Sequence, residues 1–345
     1  MEKGMVFLIR PECAFFLFGM GERKKYVYKC GKLYDASDWK IIYSFDILSE
    51  EFYYDEYTVV LTTKDGKKIK LYENEEGFFV DNNCLTKSKL NLPSFEGFKY
   101  RKQLRILLHE TLYSIKDGKP LPNIFVYDKP WYRDSALMCM VLEKTDNLHL
   151  IKDWALSVNE LYDRNNAGNE EPDNLGEMAY ILSMFVDKNY PQIKKIYDES
   201  KRITKDGLLS GITDFCDHRI YSSIWLKYAF DRLGIDTSYL EIPSTFDDYA
   251  MMFWMGKEYV KAAPKDFDYD ELYPYLWWAK MHFMNLDIDE KYLQITYPMS
   301  WEIKASQADY EKICPLSSNF AKEKCGAPHS WHSSEMFLYL HEKRN

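Results

Sequence analysis

The sequence predicts a mainly α-helical protein, an (α/α)6 toroid over residues 99–345 preceded by a small β-rich domain over residues 1–98. Three observations carry this. The N-terminal stretch strings β-branched and aromatic runs between turn signals. From Tyr100 onward the apolar residues adopt helical spacing. Acidic residues at expected helix starts then recur at a mean interval of about 40 residues, the length of one helical hairpin with its loops.

In the N-terminal stretch, Tyr57-Thr58-Val59-Val60-Leu61-Thr62-Thr63 and Lys68-Ile69-Lys70-Leu71-Tyr72 flank Lys64-Asp65-Gly66-Lys67. Asp-Gly between β-prone runs signals a hairpin, because its turn needs positive φ. Tyr26-Val27-Tyr28 followed by Cys30-Gly31-Lys32-Leu33 reads as a second hairpin. Gly19-Met20-Gly21 lacks the third glycine and following helix of a nucleotide loop, so it reads as a turn. The boundary falls near Pro93-Ser94-Phe95-Glu96-Gly97.

Beyond it, Leu104, Leu107, Leu108, Leu112 and Ile115 mark an amphipathic helix over Tyr100–Ile115. Further helices are expected near 133–145, 148–159, 173–187, 191–204, 219–233, 246–256, 270–286, 304–314 and 331–342, with most Pro and Gly between them. Asp134, Asp173, Asp214, Asp248, Glu302 and Glu335 stand at or near helix starts. Dividing the helical region by the repeat gives about six hairpins, and closing them in a ring buries every inner helix.

Composition narrows the function. With 46% hydrophobic and 17% aromatic residues the chain is too apolar for disorder. A net charge of −9 without a basic stripe argues against nucleic-acid binding. No apolar window is long enough to span a membrane, and the N-terminal apolar run is too short for a secretory signal. Seven dispersed cysteines without a CxxC pair read as reduced thiols, so the cytoplasm is the expected compartment. The 28 Tyr and 9 Trp, against 20 Phe, supply flat faces with a polar handle that suit a carbohydrate ligand.

Several segments combine such aromatics with acids. Trp131-Tyr132-Arg133-Asp134 opens a helix, where Asp134 either caps or serves as a base or substrate-holding carboxylate. The loop Asp163–Glu177 is dense in amides and acids, and Asp173 and Glu177 share one helical face. Asp217 and His218 precede the helix at 219, and Thr245-x-x-Asp248 approximates a capping box. Trp301-Glu302 and His329-Ser330-Trp331-His332-Ser333-Ser334-Glu335 close the series. His329, His332 and Glu335 on successive turns depart from strong zinc spacing, so no metal and no cofactor is expected. Cys216 and His218 stand too close in sequence to oppose each other as a nucleophile and its base.

The Trp131–Ala136 string, the Glu170–Glu177 loop and the Trp331–Leu340 helix together resemble the six-hairpin glycosidase-like superfamily. That resemblance implies a toroid whose mouth loops hold and cleave a glycosidic bond, commonly with inversion. The expected catalytic carboxylates are Asp134 with Asp173 or Glu171. Trp131, Trp301 and Trp331 are expected to stack on sugar, with Tyr132, Arg133, Glu177, Asp217, His218, Asp248, Glu302, His329, His332 and Glu335 as polar contacts. Two alternatives stand beside it: a His-dependent sugar isomerase or epimerase using His218, His329 or His332, and a non-catalytic carbohydrate-binding or scaffold protein. The sequence does not specify an oligomeric state.

Overall fold

The Asp65-Gly66 turn closes a hairpin as its sequence demands: Gly66 has φ 83°, and Thr62 pairs with Lys68 across it. The computed structural model describes residues 10–214, 216–244, 254–260, 277–287, 293, 296–305 and 307–343. Strands β1 (Phe15–Phe18), β2 (Tyr26–Lys29), β3 (Lys32–Asp35) and β4 (Ile41–Ser44) form one antiparallel sheet in sequence order. Strands β5 (Ile47–Tyr53), β6 (Thr58–Thr63), β7 (Lys68–Glu73), β8 (Gly77–Val80) and β9 (Asn83–Lys87) form a second, five-stranded antiparallel meander. Between β2 and β3, Cys30 and Gly31 both take positive φ, as a two-residue hairpin turn of this hand requires.

The Gly19-Met20-Gly21 segment is a structural turn. The buried Glu73 carboxylate accepts the backbone N–H of Gly19 at 3.0 Å and of Met20 at 2.7 Å, and it pairs with the buried Arg23 at 2.9 Å. All four residues of β1 are buried, because the sheet lies on one side and helix α1 (Arg101–Tyr113) on the other. His109 of α1 meets the Leu17 carbonyl at 2.8 Å, and the Leu112 carbonyl accepts from Gly21. One apolar core runs across the strands and the helices that follow.

After α1 come α2 (Tyr132–Lys144), α3 (Lys152–Ser157), α4 (Asp173–Ser183), α5 (Pro191–Ile203), α6 (Arg219–Leu233), α7 (Trp277–Phe283), α8 (Ser318–Glu323) and α9 (Ser330–Glu342). They pack as a row: α1 against α9, α9 against α2, α2 against α4, and α4 against α6, with α7 on α9. Gly176 lets α4 and α6 meet backbone to backbone, since a Cβ there would lie 2.4 Å from the Leu226 nitrogen.

This overturns the mainly α toroid. The described residues hold nine helices, three of them only six or seven residues long, beside nine strands in two substantial sheets. The fold is mixed α and β. In place of the helix expected over 304–314 there is a single 3-10 turn at Tyr310–Ile313, preceded by a two-residue strand β10 (Glu302–Ile303). Lys304 and Gln307 both take positive φ, which no helix tolerates. The 148–159 helix likewise splits into a 3-10 turn at Leu148–Ile151 and the short α3. Most of the helix expected over 246–256 lies outside the described residues. With the helices expected over 148–159 and 304–314 broken up, the interval of acidic residues measures loop spacing as much as hairpin length.

Candidate functional site

Helix α2 begins at Tyr132 because a carboxylate from another loop caps it. Asp163 accepts the Tyr132 N–H at 2.8 Å and the Asn165 N–H at 2.9 Å. That relieves Asp134 of any capping duty, and Arg133 and Asp134 enter two different buried clusters.

The first cluster gathers at the start of α9. Strand β10 pairs with β11 (Cys325–Gly326), setting Glu302 opposite Gly326 and close to His329, the residue preceding α9. A Glu302 carboxylate oxygen lies 2.6 Å from His329 Nε2, close but poorly aligned for a hydrogen bond. It also accepts the Tyr127 hydroxyl at 3.2 Å. The same imidazole nitrogen is 3.9 Å from Asp134 Oδ1, and among the described residues neither that oxygen nor His329 Nδ1 has a hydrogen-bond partner. One helical turn on, the His332 ring lies 5.2 Å from that of His329, and His332 Nδ1 is 3.4 Å from Glu335.

Electrostatics divide these groups sharply. Burial pushes Asp134 up to about 7, against the opposing pull of His329. Burial also opposes ionisation of Glu302, but His329 and the Tyr127 hydroxyl outweigh it and hold that carboxyl below its usual range. His329 is raised, because the Glu302 charge overcomes the penalty of burial. Burial and the neighbouring His329 press His332 down to about 3, and burial lifts Glu335 to about 8. Tyr127 and Trp131 meet edge to face at 5.4 Å beside this cluster. Glu302 keeps a fifth of its side-chain surface exposed while Asp134 and His329 keep only 4%, so the cluster opens on the Glu302 side.

The second cluster surrounds Arg133, whose guanidinium meets four carboxylates: Asp173 at 2.6 Å, Asp214 at 3.0 Å, Glu177 at 3.6 Å and Glu171 at 3.8 Å. Asp173 also accepts the Thr213 hydroxyl, and Glu177 accepts the Asn174 amide and the Tyr221 hydroxyl. Four acids on one guanidinium leave surplus negative charge. Burial first, and then the neighbouring acids, push Glu171 up to about 7 and Glu177 well above the ordinary range. The Arg133 guanidinium carbon stands 5.9 Å from the Trp331 ring, which places that indole at the margin of both clusters.

The structure therefore brings together Asp134, Glu302, His329, His332 and Glu335, and separately Arg133, Glu171, Asp173 and Glu177. Glu302, not Asp173 or Glu171, shares an imidazole with Asp134. Asp217 is exposed and reaches only the Gly211 N–H at 3.4 Å. His218 is buried immediately before α6, and the Tyr132 hydroxyl is committed to the Glu160 carbonyl. Trp301 is half-buried against the core next to Glu302, and Asp248 lies outside the described residues. Tyr127 is a partner the sequence did not single out, and Asp163 and Asp214, read there only as the start of a polar loop and an acid near a helix start, are partners as well. A surface groove lined by Glu22, Asp117, Lys119, His149 and Trp154 shares no residue with either cluster.

No family model, curated protein or solved structure matches the chain. The resemblance to the six-hairpin glycosidase-like superfamily is thus withdrawn on both counts, the fold being mixed and no family being matched. Among the described residues no helix is long and apolar enough to cross a membrane. Nor does any group of three or more His, Cys, Asp and Glu among them stand ready to hold a metal ion.

Proposed function

We propose that the protein is a glycoside hydrolase in which Asp134 donates a proton and Glu302 acts as the ionised carboxylate. One observation carries this reading: two carboxyl groups beside one imidazole nitrogen have their proton affinities driven apart, Asp134 up to about 7 and Glu302 below its usual range. Such a split is what separates a proton donor from a base or nucleophile. Cleaving a glycosidic bond needs an acid to protonate the departing oxygen, and a second carboxylate to activate water or attack the anomeric carbon. His329 keeps Glu302 ionised, while the half-buried Trp131 beside Tyr127 offers an aromatic face for a sugar ring.

The test is hydrolysis of a panel of natural oligosaccharides and aryl glycosides. Asp134→Asn is expected to lose cleavage of the oligosaccharides yet retain it on dinitrophenyl glycosides, whose leaving group needs no proton. Glu302→Gln is expected to lose both. A wild-type chain inert across the panel, or an Asp134→Asn variant that still cleaves oligosaccharides at the wild-type rate, overturns the assignment.

A second reading is proton transfer at carbon by His329, as in a sugar isomerase or epimerase. The carboxylate beside its Nε2, at 2.6 Å, favours it. Solvent deuterium incorporated into a free sugar without glycan cleavage would select this reading over hydrolysis.

A further inference from the structure

Cys13 and Cys30 bring two thiols together, and neither belongs to either acidic cluster. Cys30 sits at the first position of the β2–β3 turn with φ 48°, a place where Asn, Asp or Gly is the usual choice. Its side chain is exposed, and its sulfur lies 2.8 Å from the half-buried Cys13 sulfur. Both sulfurs stand on ordered backbone. The segment before β1 is held by Glu12, which accepts the Asn319 N–H at 3.0 Å and the Ser318 hydroxyl. On the other side Lys29, next to Cys30, donates to the Leu316 carbonyl at 2.8 Å. Cys84, Cys216 and Cys314 also reach the surface in part, so simple exposure does not single this pair out; proximity does.

We propose that Cys13 and Cys30 are a thiol modification site that reacts with small disulfides of the glutathione class and closes to a reversible intramolecular disulfide. The exposed Cys30 thiolate attacks one sulfur of the small disulfide. A bond forms between Cys30 and that sulfur, and the other half leaves as a thiolate. Cys13 then gives its proton to solvent and attacks the Cys30 sulfur, expelling the second small thiolate. The two protein thiols are oxidised by two electrons, and the small disulfide is reduced to two thiols. Cys30 is the first attacker because burial and the Cys30 contact push the Cys13 thiol up to about 12. The product ties the segment ahead of β1 to the β2–β3 turn, leaving the residues of both acidic clusters untouched.

The experiment incubates the reduced full-length chain with glutathione disulfide, quenches it in acid and maps every cysteine by mass spectrometry. The wild type is expected to yield a Cys13–Cys30 cross-linked peptide that dithiothreitol reverses. Cys13→Ser is expected to hold glutathione on Cys30 about tenfold more than the wild type does, since the resolving thiol is gone. Cys30→Ser is expected to leave Cys13 unmodified, while the exposed Cys216 and Cys314 report equal reagent in every sample. The proposal is overturned if glutathione persists on wild-type Cys30 as in Cys13→Ser, if Cys13 is modified in Cys30→Ser, or if neither cysteine reacts.

Discussion

Glu110, in the middle of α1, holds the Ser300 backbone N–H at 2.9 Å and so fixes, from a distant helix, the loop that carries Glu302. The same carboxylate takes the Met299 N–H at 2.6 Å and the Ser300 hydroxyl, whose oxygen in turn accepts the His329 N–H at 3.0 Å. Glu110→Ala leaves those buried donors without an acceptor. The expected loss is about 3 kcal/mol of folding stability, read from urea midpoints. Ser300→Ala removes one link only and is expected to cost about 1 kcal/mol. Equal stability of Glu110→Ala and wild type would show that the loop is held by other means.

Asp134 ties stability to pH in a definite sense. Its folded pKa of about 7 lies above its unfolded value, so its contribution is fully present below about pH 4 and is lost as pH rises through 7. Asp134→Asn removes that dependence. Relative to wild type, the variant is expected to gain on the order of a few kcal/mol between pH 4 and pH 8. Denaturant unfolding at the two ends of that range measures the gain, and a pH-independent difference refutes the burial of a protonatable Asp134.

How far the sequence spoke differs between local and long-range features. The Asp65-Gly66 and Cys30-Gly31 turns were legible because positive φ confines the residue choice, and α6 follows the expected 219–233 because Gly234 ends it in the left-handed region. The pairing of Asp134 with Glu302 was not, since 168 residues separate them and long-range contacts, the β10–β11 pairing and the hold of Glu110 on Met299 and Ser300 among them, close that distance. Glu110 was hidden for a related reason. Its neighbours Leu107, Leu108 and Leu112 write an ordinary amphipathic pattern, and its partners lie near residue 300. The toroid failed because a regular interval between acids does not say whether the residues between them are helical.

Glu302→Gln should reverse the proton affinity of His329. The imidazole is raised only because the Glu302 charge overcomes the penalty of burial. With a neutral amide there, burial prevails and the histidine pKa falls below its ordinary value. Titration of the His329 ring protons by NMR is the measurement. An unchanged midpoint would mean that Asp134 alone sustains the imidazolium.

Gly176 tests the closest helix contact in the molecule's row. A Cβ would stand 2.4 Å from the Leu226 nitrogen and 2.6 Å from the Trp225 carbonyl carbon, both backbone atoms of α6 that no rotamer change can move aside. Gly176→Ala is expected to destabilise by about 3 kcal/mol despite the better helix propensity of alanine. Gly66→Ala, where the added carbon meets nothing, should cost about 1 kcal/mol from its positive φ alone. Thermal unfolding of the pair compares steric exclusion with backbone preference, and a Gly176→Ala variant no less stable than Gly66→Ala contradicts the close α4–α6 contact.

The Arg133 guanidinium lies among Asp173, Asp214, Glu177 and Glu171, so its removal exposes their mutual repulsion. Arg133→Met keeps most of the side-chain volume and strips the charge. The variant is expected to lose about 4 kcal/mol at pH 8, where the uncompensated acids must either ionise or retain protons against solvent. As pH falls the acids protonate, and the penalty should shrink. The sign follows from their raised folded pKa values: such groups favour the folded state below their unfolded pKa, and that support is lost as pH rises through the folded value. Arg133→Lys, with one charge but no planar fork, should fall between the two, because a single ammonium cannot serve Asp173 and Asp214 at 2.6 and 3.0 Å together. Urea titrations at pH 5 and pH 8 decide it: a penalty equal at both would mean that Arg133 acts through packing against Trp331, not through charge.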